Sequence, residues 1–279
     1  MPNVLITGAS RGIGRATALR LADAGWSVIG GVRSEADGEA LAAERPGQIT
    51  PVILDVTNAD HVAGLDAQLP PTLDAVVNNA GVMLAGPIEG LPVDEIRRQF
   101  EINVFGQVAV TQAVLPRLRA SRGRIVFISS VSGRISTPMS GAYNGSKFAL
   151  EGIGDALRLE LAPWGIKVSL IEPAQTATDL WHLAPDAFEA DLAKLTPEHR
   201  ELYARHAKGF KRVIPISQKL AAPADSVARS VEQALTSKRP RARYVVGAGP
   251  KLQAALMQVT PAVIGDPILR RLVGVPRRA

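Results

Sequence analysis

The sequence predicts an α/β fold, a three-layer, doubly wound parallel sheet of about seven strands with helices on both faces. Short apolar runs alternate along the 279 residues with longer stretches of helical spacing. Those runs are continuously apolar rather than alternating with polar residues, the pattern of parallel strands covered on both faces. No internal repeat and no Gly/Ser-rich or Pro-rich linker interrupts the chain, so 1–279 reads as one domain.

Val4-Leu5-Ile6-Thr7 reads as the first strand. Residues 14–24 have helical spacing, and Gly25 supplies a stop. The apolar runs 27–32, 51–54 and 73–77 are strands two to four. Residues 92–121 are helical, with a break expected near 101–104. Strand five covers 124–128, and a long helix over 142–161 stops before Pro163. Strand six covers 166–171, a helix follows over 224–235, and strand seven is 244–246.

Residues 174–222 carry no strand signal, only scattered prolines, charges and the aromatics Trp181, Phe188, Tyr203 and Phe210. This reads as a helical insertion after strand six that forms a substrate lid, with Trp181 and Leu183 near its start; packed helical decoration is the alternative. Residues 250–279 form a C-terminal extension. There Leu252, Leu256, Ile264, Leu269 and Leu272 are expected to be buried, because Pro261 and Pro267 interrupt any long amphipathic helix.

Composition narrows the function classes. Apolar residues make up 46% and charged residues 21%, enough to bury a core. With no cysteine there is no disulfide scaffold, thiolate metal site or cysteine nucleophile. The four histidines are scattered, so no metal is expected. No apolar stretch is long enough to span a bilayer, and no basic leader opens the chain, so the expected location is cytoplasmic. The net charge is +6, yet residues 237–279 alone hold nine Lys/Arg against one Asp. A mildly acidic body with a basic end does not predict nucleic-acid binding. The basic end reads as a solvated, packed tail in preference to a membrane-surface anchor.

Between the first strand and first helix lies Thr7-Gly8-Ala9-Ser10-Arg11-Gly12-Ile13-Gly14. Glycines allow a tight turn and close approach of backbone to phosphate, and the helix N-terminus offers unpaired N–H groups. The octet resembles the cofactor turn of the classical short-chain dehydrogenases/reductases. The resemblance continues in order. Asp55 stands at the end of strand three, with Val56 after it; Asn78-Asn79-Ala80-Gly81 follows strand four; Asn103 falls in the middle helix. Ser129-Ser130 ends strand five, Tyr143-Asn-Gly-Ser-Lys147 opens the long helix, and Pro173 ends strand six, with Thr176 and Thr178 beyond it. The match spans about residues 3–180, and its look is nearest to the 17β-hydroxysteroid and retinol dehydrogenase branch. Two positions depart: Ala174 replaces a common Gly, and Gly145 a common Ala.

Tyr143 and Lys147 are four apart, so they share a helix face. An ammonium beside a phenol favours the phenolate, and Lys147 is therefore expected to lower the Tyr143 pKa. The resemblance implies a Rossmann-type, cofactor-dependent oxidoreductase that interconverts a carbonyl and an alcohol on an apolar steroid-, retinoid- or lipid-like substrate. It implies Tyr143 as proton donor and acceptor, Ser130 as the group bonding the substrate oxygen, Lys147 on the nicotinamide ribose and Asn103 positioning a water. It implies cofactor contacts from Gly8, Ser10, Arg11, Gly12, Ile13, Gly14, Arg33, Asp55, Val56, Asn79, Ala80, Gly81, Tyr143, Lys147, Pro173, Thr176 and Thr178. At the end of strand two stands Val32-Arg33-Ser34 rather than an acid, and Arg11 adjoins the same pocket, so the cofactor is expected to be NADP(H). The family also implies a homodimer or homotetramer, through the helices near 103–121 and 142–162. A non-catalytic NADP(H)-binding sensor on the same fold is the competing reading.

Overall fold

The computed structural model describes residues 1–178, 184–247, 256, 260–272 and 274–275. The chain runs β1 (Asn3–Thr7), α1 (Gly12–Asp23), β2 (Ser27–Val32), α2 (Glu35–Glu44) and β3 (Ile49–Ile53). The short helices α3 (Ala59–Ala63) and α4 (Leu65–Gln68) lead to β4 (Ala75–Asn78). Then come α5 (Val93–Phe100), a π-helical turn over Glu101–Phe105, α6 (Gly106–Ser121), β5 (Arg124–Ile128), α7 (Gly141–Glu160) and β6 (Lys167–Pro173). The insertion holds β7 (Thr176–Ala177), α8 (Ala184–Ala193), α9 (Pro197–Leu202), α10 (Ala204–Lys219) and β8 (Ala222–Pro223). The elements α11 (Ala224–Thr236), β9 (Arg243–Val246) and α12 (Ala262–Leu272) follow.

Seven strands form one parallel sheet in the order β3-β2-β1-β4-β5-β6-β9. The chain leaves β1 toward β2 and β3, then returns to place β4 on its other side. That reversal opens a crevice at the carboxyl ends of β1 and β4. Side chains alternate across the sheet and so build two cores. Val4, Ile6, Val126 and Ile128 join Leu21, Val227 and Val231 on the α1/α11 face. Leu5, Val76, Ile125 and Phe127 join Val110, Val114, Leu118 and Leu150 on the α6/α7 face. This is the expected three-layer, doubly wound fold.

Several details differ from the sequence reading. The break near 101–104 is a π-helical turn rather than an interruption, so α5 and α6 run on through it. Helix α2 is not among the expected elements; it buries only Gly38 and Leu41 and has no apolar stripe to announce it. Strand β3 begins before Pro51, which the sheet tolerates because β3 is its edge strand. The insertion is not free of strands, since Thr176–Ala177 pairs in parallel with Ala222–Pro223. Two residues are too few to show a period. Trp181 and Leu183 lie outside the described residues.

The expected burial of the C-terminal extension fails at two of its apolar positions, because Leu256 and Ile264 are exposed. Gly265 of α12 is buried, and just past the helix a Cβ on Gly274 would come within 2.8 Å of Gly209 Cα on α10. Val263, Ile264 and Ile268 of α12 are exposed. Leu269 is half-buried, while Leu252 and the side chain of Leu272 lie outside the described residues.

Candidate active site

A cleft of about 870 Å³ opens along the carboxyl edge of the sheet. Of the site residues expected from the sequence, all but Gly14 and Asn103 line it. Those two are buried behind its wall, where they shape it.

The glycine turn is held by strand β4. Gly8 and Gly12 adopt φ of +63° and +56°, which favours glycine. Gly14 is required for a different reason: a Cβ there would lie 2.2 Å from the Gly8 carbonyl oxygen and 2.6 Å from Asn79 Nδ2. Asn79 Nδ2 donates to the carbonyls of Thr7 (2.9 Å) and Gly8 (3.0 Å). Thr7 Oγ1 in turn accepts from the Asn79 and Ala80 amides at 2.9 and 3.0 Å. Arg11, at the N-cap of α1, provides no side-chain cap. The amides of the first turn therefore face the cleft without an internal acceptor, which fits the pyrophosphate of a dinucleotide.

Farther along, Asp55 Oδ1 accepts from Thr57 N (2.9 Å) and Thr57 Oγ1 (2.7 Å). The Thr57 amide, helped by the positive charge of Arg33, holds the Asp55 carboxyl below its ordinary range. Arg11 and Arg33 are exposed and both line the cleft, Arg33 near Asp55. No acid ends β2 itself; Glu35 and Asp37 follow, already in the first turn of α2. This donor set suits a phosphate better than a free ribose hydroxyl.

At the other end Ser130, Tyr143 and Lys147 come together. Ser130 Oγ donates to the Pro173 carbonyl (3.3 Å), accepts from Ser132 N (3.1 Å) and shares a hydrogen bond with Tyr143. Lys147 is buried; its Nζ donates to the Ile128 carbonyl at 2.8 Å and lies 5.7 Å from the centre of the Tyr143 ring. Burial pulls the Lys147 pKa down to about 8, opposed by Glu151 one turn on. Burial also raises the Tyr143 pKa, opposed by the Ser130 hydrogen bond. The expectation that Lys147 lowers Tyr143 thus fails for the protein by itself, because desolvating the phenolate outweighs its partners.

Asn103 sits in the π-helical turn, fully buried. Its Oδ1 accepts from Val82 N (2.8 Å), and its Nδ2 donates to Val82 O (2.9 Å) and Ser146 Oγ (3.0 Å). Ser146 Oγ donates to Tyr143 O at 2.7 Å. The Asn103 side-chain amide thus braces the β4 loop against the start of α7.

Part of the lining is apolar: Met83, Ile135, Ala187, Phe210 and Val213. Sequence reasoning missed most of these. They come from loops and from α8 and α10, and only the aromatic Phe210 gave a signal. The insertion is fastened here by Asp191 Oδ2, which accepts from Ala85 N at 3.0 Å.

A phosphate-binding turn and a Ser–Tyr–Lys cluster on one doubly wound sheet define an oxidoreductase that works with a dinucleotide. The chain belongs to the short chain dehydrogenase family, whose sequence profile matches residues 2–187. It is 34% identical over 278 residues to the NADPH-dependent 3-dehydrocapnine reductase of Ornithobacterium rhinotracheale, covering 96% of both chains. It is 33% identical over 287 residues to retinol dehydrogenase 5 of Homo sapiens, covering 99% of this chain and 90% of that one. Among solved structures, a short chain dehydrogenase/reductase from Burkholderia phymatum in complex with NAD superposes with a TM-score of 0.76, at 25% identity over 92% of both chains. One from Burkholderia cenocepacia J2315 in complex with NADP gives 0.74 at 22% identity over 99% of this chain and 98% of that one, a likeness of fold.

Proposed function

We propose that the protein is an NADP(H)-dependent oxidoreductase that interconverts a carbonyl and an alcohol on an apolar, steroid-, retinoid- or lipid-like substrate. The observation that carries this reading is the convergence of Ser130, Tyr143 and Lys147 on one wall of the cleft that also receives the glycine turn. The apolar lining and the relatives named as a retinol dehydrogenase and an NADPH-dependent reductase support it.

When bound, the nicotinamide supplies or accepts the hydride. The chain supplies everything else. Arg11 and Arg33 would hold a 2′-phosphate, Asp55 and Val56 would flank the adenine, and the α1 amides would hold the pyrophosphate. Ser130 Oγ donates a hydrogen bond to the substrate oxygen as charge develops there. Tyr143 gives that oxygen its proton in reduction and takes it back in oxidation. A phenol is neutral at working pH, and burial pushes the Tyr143 pKa further up, so it starts as the acid that reduction needs. For oxidation its pKa would have to fall, each unit costing about 1.4 kcal/mol, and the buried Lys147 is the group of this chain that would favour the phenolate. Pro173, Thr176 and Thr178 would close the nicotinamide end, and α8 and α10 would cover the substrate as a lid. Assembly as a homodimer or homotetramer is supported by the exposed Phe105 and Phe148 near α6 and on α7.

The test is turnover of a panel of apolar ketones and aldehydes with NADPH and with NADH. Faster turnover with NADPH is expected. Tight NADPH binding without turnover of any carbonyl would support the sensor reading instead.

A further inference from the structure

Helix α10 carries different chemistry on its two sides. Phe210, Val213 and Ser217 face the cleft. On the other side Arg205, Lys208, Arg212, Ile216 and Lys219 are exposed and spaced by three or four, so they form one stripe. The helix contains no Asp or Glu. The chain just past α12 meets α10, where Gly274 packs on Gly209. Three exposed side chains of α12 are aliphatic, Val263 at 80%, Ile264 at 55% and Ile268 at 47%. Leu220, just past α10, is 74% exposed. Arg270 and Arg271 end α12, against Asp266 as its one acid.

A basic stripe beside an exposed aliphatic ridge restricts what can cover this face. A nucleic acid would be met by basic and stacking groups, and the described ridge holds no aromatic side chain. A purely electrostatic partner leaves the aliphatic ridge in water. Aliphatic side chains flanked by Lys and Arg match the boundary between headgroups and acyl chains in an anionic leaflet.

We propose that the face formed by α10 and α12 docks on the surface of a bilayer containing anionic phospholipid. Val263, Ile264 and Ile268 enter the headgroup boundary, and the α10 stripe lies over the headgroups. The protein rests on the bilayer rather than spanning it; no helix among the described residues is long and apolar enough to cross. Because the inner side of α10 lines the cleft, docking brings the cleft beside the lipid. The proposal stands on this surface alone and does not depend on the reaction proposed above.

The experiment is co-sedimentation of the full chain with vesicles of phosphatidylcholine alone and of phosphatidylcholine with phosphatidylglycerol, at low and high salt. Binding to the anionic vesicles, weakened by salt and nearly absent on the neutral ones, is expected. Each basic residue at the surface contributes about fivefold, so Lys208→Glu with Arg212→Glu should weaken binding by more than about 20-fold. Ile264→Ser with Ile268→Ser should weaken it at constant charge. Both pairs should keep the melting temperature and NADPH binding of the parent, which separates lost docking from lost folding. Equal binding to both vesicle types, full binding by the charge-reversed pair, or equally tight binding to duplex DNA would overturn the proposal. So would a dimer that dissociates in the Ile264→Ser, Ile268→Ser pair while vesicles go unbound.

Discussion

The Lys147 ammonium nitrogen lies 5.7 Å from the centre of the Tyr143 ring, one turn away on the same side of α7. Its hydrogen bond to the Ile128 carbonyl keeps it there, at the end of β5 and next to Ser130. The sheet thus fixes the cation, and the cation and serine bracket the phenol.

Replacing Lys147 by Ala should therefore damage two things together. The carbonyl turnover rate should fall by about 10²–10⁴, the usual span for a group assisting proton transfer. NADPH affinity should fall as well, through lost ribose contacts. Fluorescence titration with NADPH, paired with steady-state rates, separates the two; unchanged affinity would remove Lys147 from the ribose.

Arg33→Asp should reverse cofactor preference. Loss of a charge-assisted bond costs about 1.5–3 kcal/mol, so NADPH should bind roughly 10–100-fold more weakly. NADH binding should hold or improve. Calorimetric titration of both cofactors reads this directly, and equal affinities of the unmodified protein for the two would defeat the assignment.

Gly14→Ala tests the turn. Its Cβ would meet the Gly8 carbonyl and Asn79, so the backbone must shift, at a cost of about 1–3 kcal/mol. Gly152, on the exposed side of α7 with nothing within 4 Å of its Cβ, is the control. There Ala should stabilise by about 0.5–1 kcal/mol. Urea unfolding distinguishes the two signs.

Glu172 predicts a pH dependence of stability. It is fully buried between Arg134 Nε (3.1 Å) and Arg243 Nε (3.2 Å), with Glu151 and Asp155 on α7 sharing Arg243. Burial, then Glu151, raises its pKa from 4.5 to about 7. The folded protein therefore keeps a proton that the unfolded chain releases. This contribution is complete below about pH 4.5 and is lost as pH rises through about 7. Stability should fall between about pH 5 and 7.5, by at most about 1.4 kcal/mol per unit from this group. Glu172→Gln should flatten the slope; an unchanged slope in urea midpoints would show that another group sets it.

Much of this site is legible in the sequence because it rests on backbone demands. Gly8, Gly12 and Gly14 are needed where a turn or a close approach excludes a side chain, and Tyr143 and Lys147 share a face by helical spacing alone. Tertiary properties are not legible. The Tyr143 pKa depends on how deeply the ring is buried. The Asn103 bonds to Val82 and Ser146 join segments far apart in the chain. The apolar lining is assembled from loops and from α8 and α10, and Ile264 is exposed on α12 although its apolar character suggests burial. Helix α2 escapes because burying only Gly38 and Leu41 writes no period into the sequence.

In the proposed reaction Tyr143 is the proton donor of a carbonyl reductase whose cofactor is NADPH. Tyr143→Phe keeps the ring and removes only the hydroxyl, so NADPH affinity and carbonyl turnover measured on one preparation test it most directly. NADPH should bind within about twofold of the parent while turnover falls by about 10³ or more. A variant that binds NADPH normally and still reduces the carbonyl at a comparable rate would contradict the account.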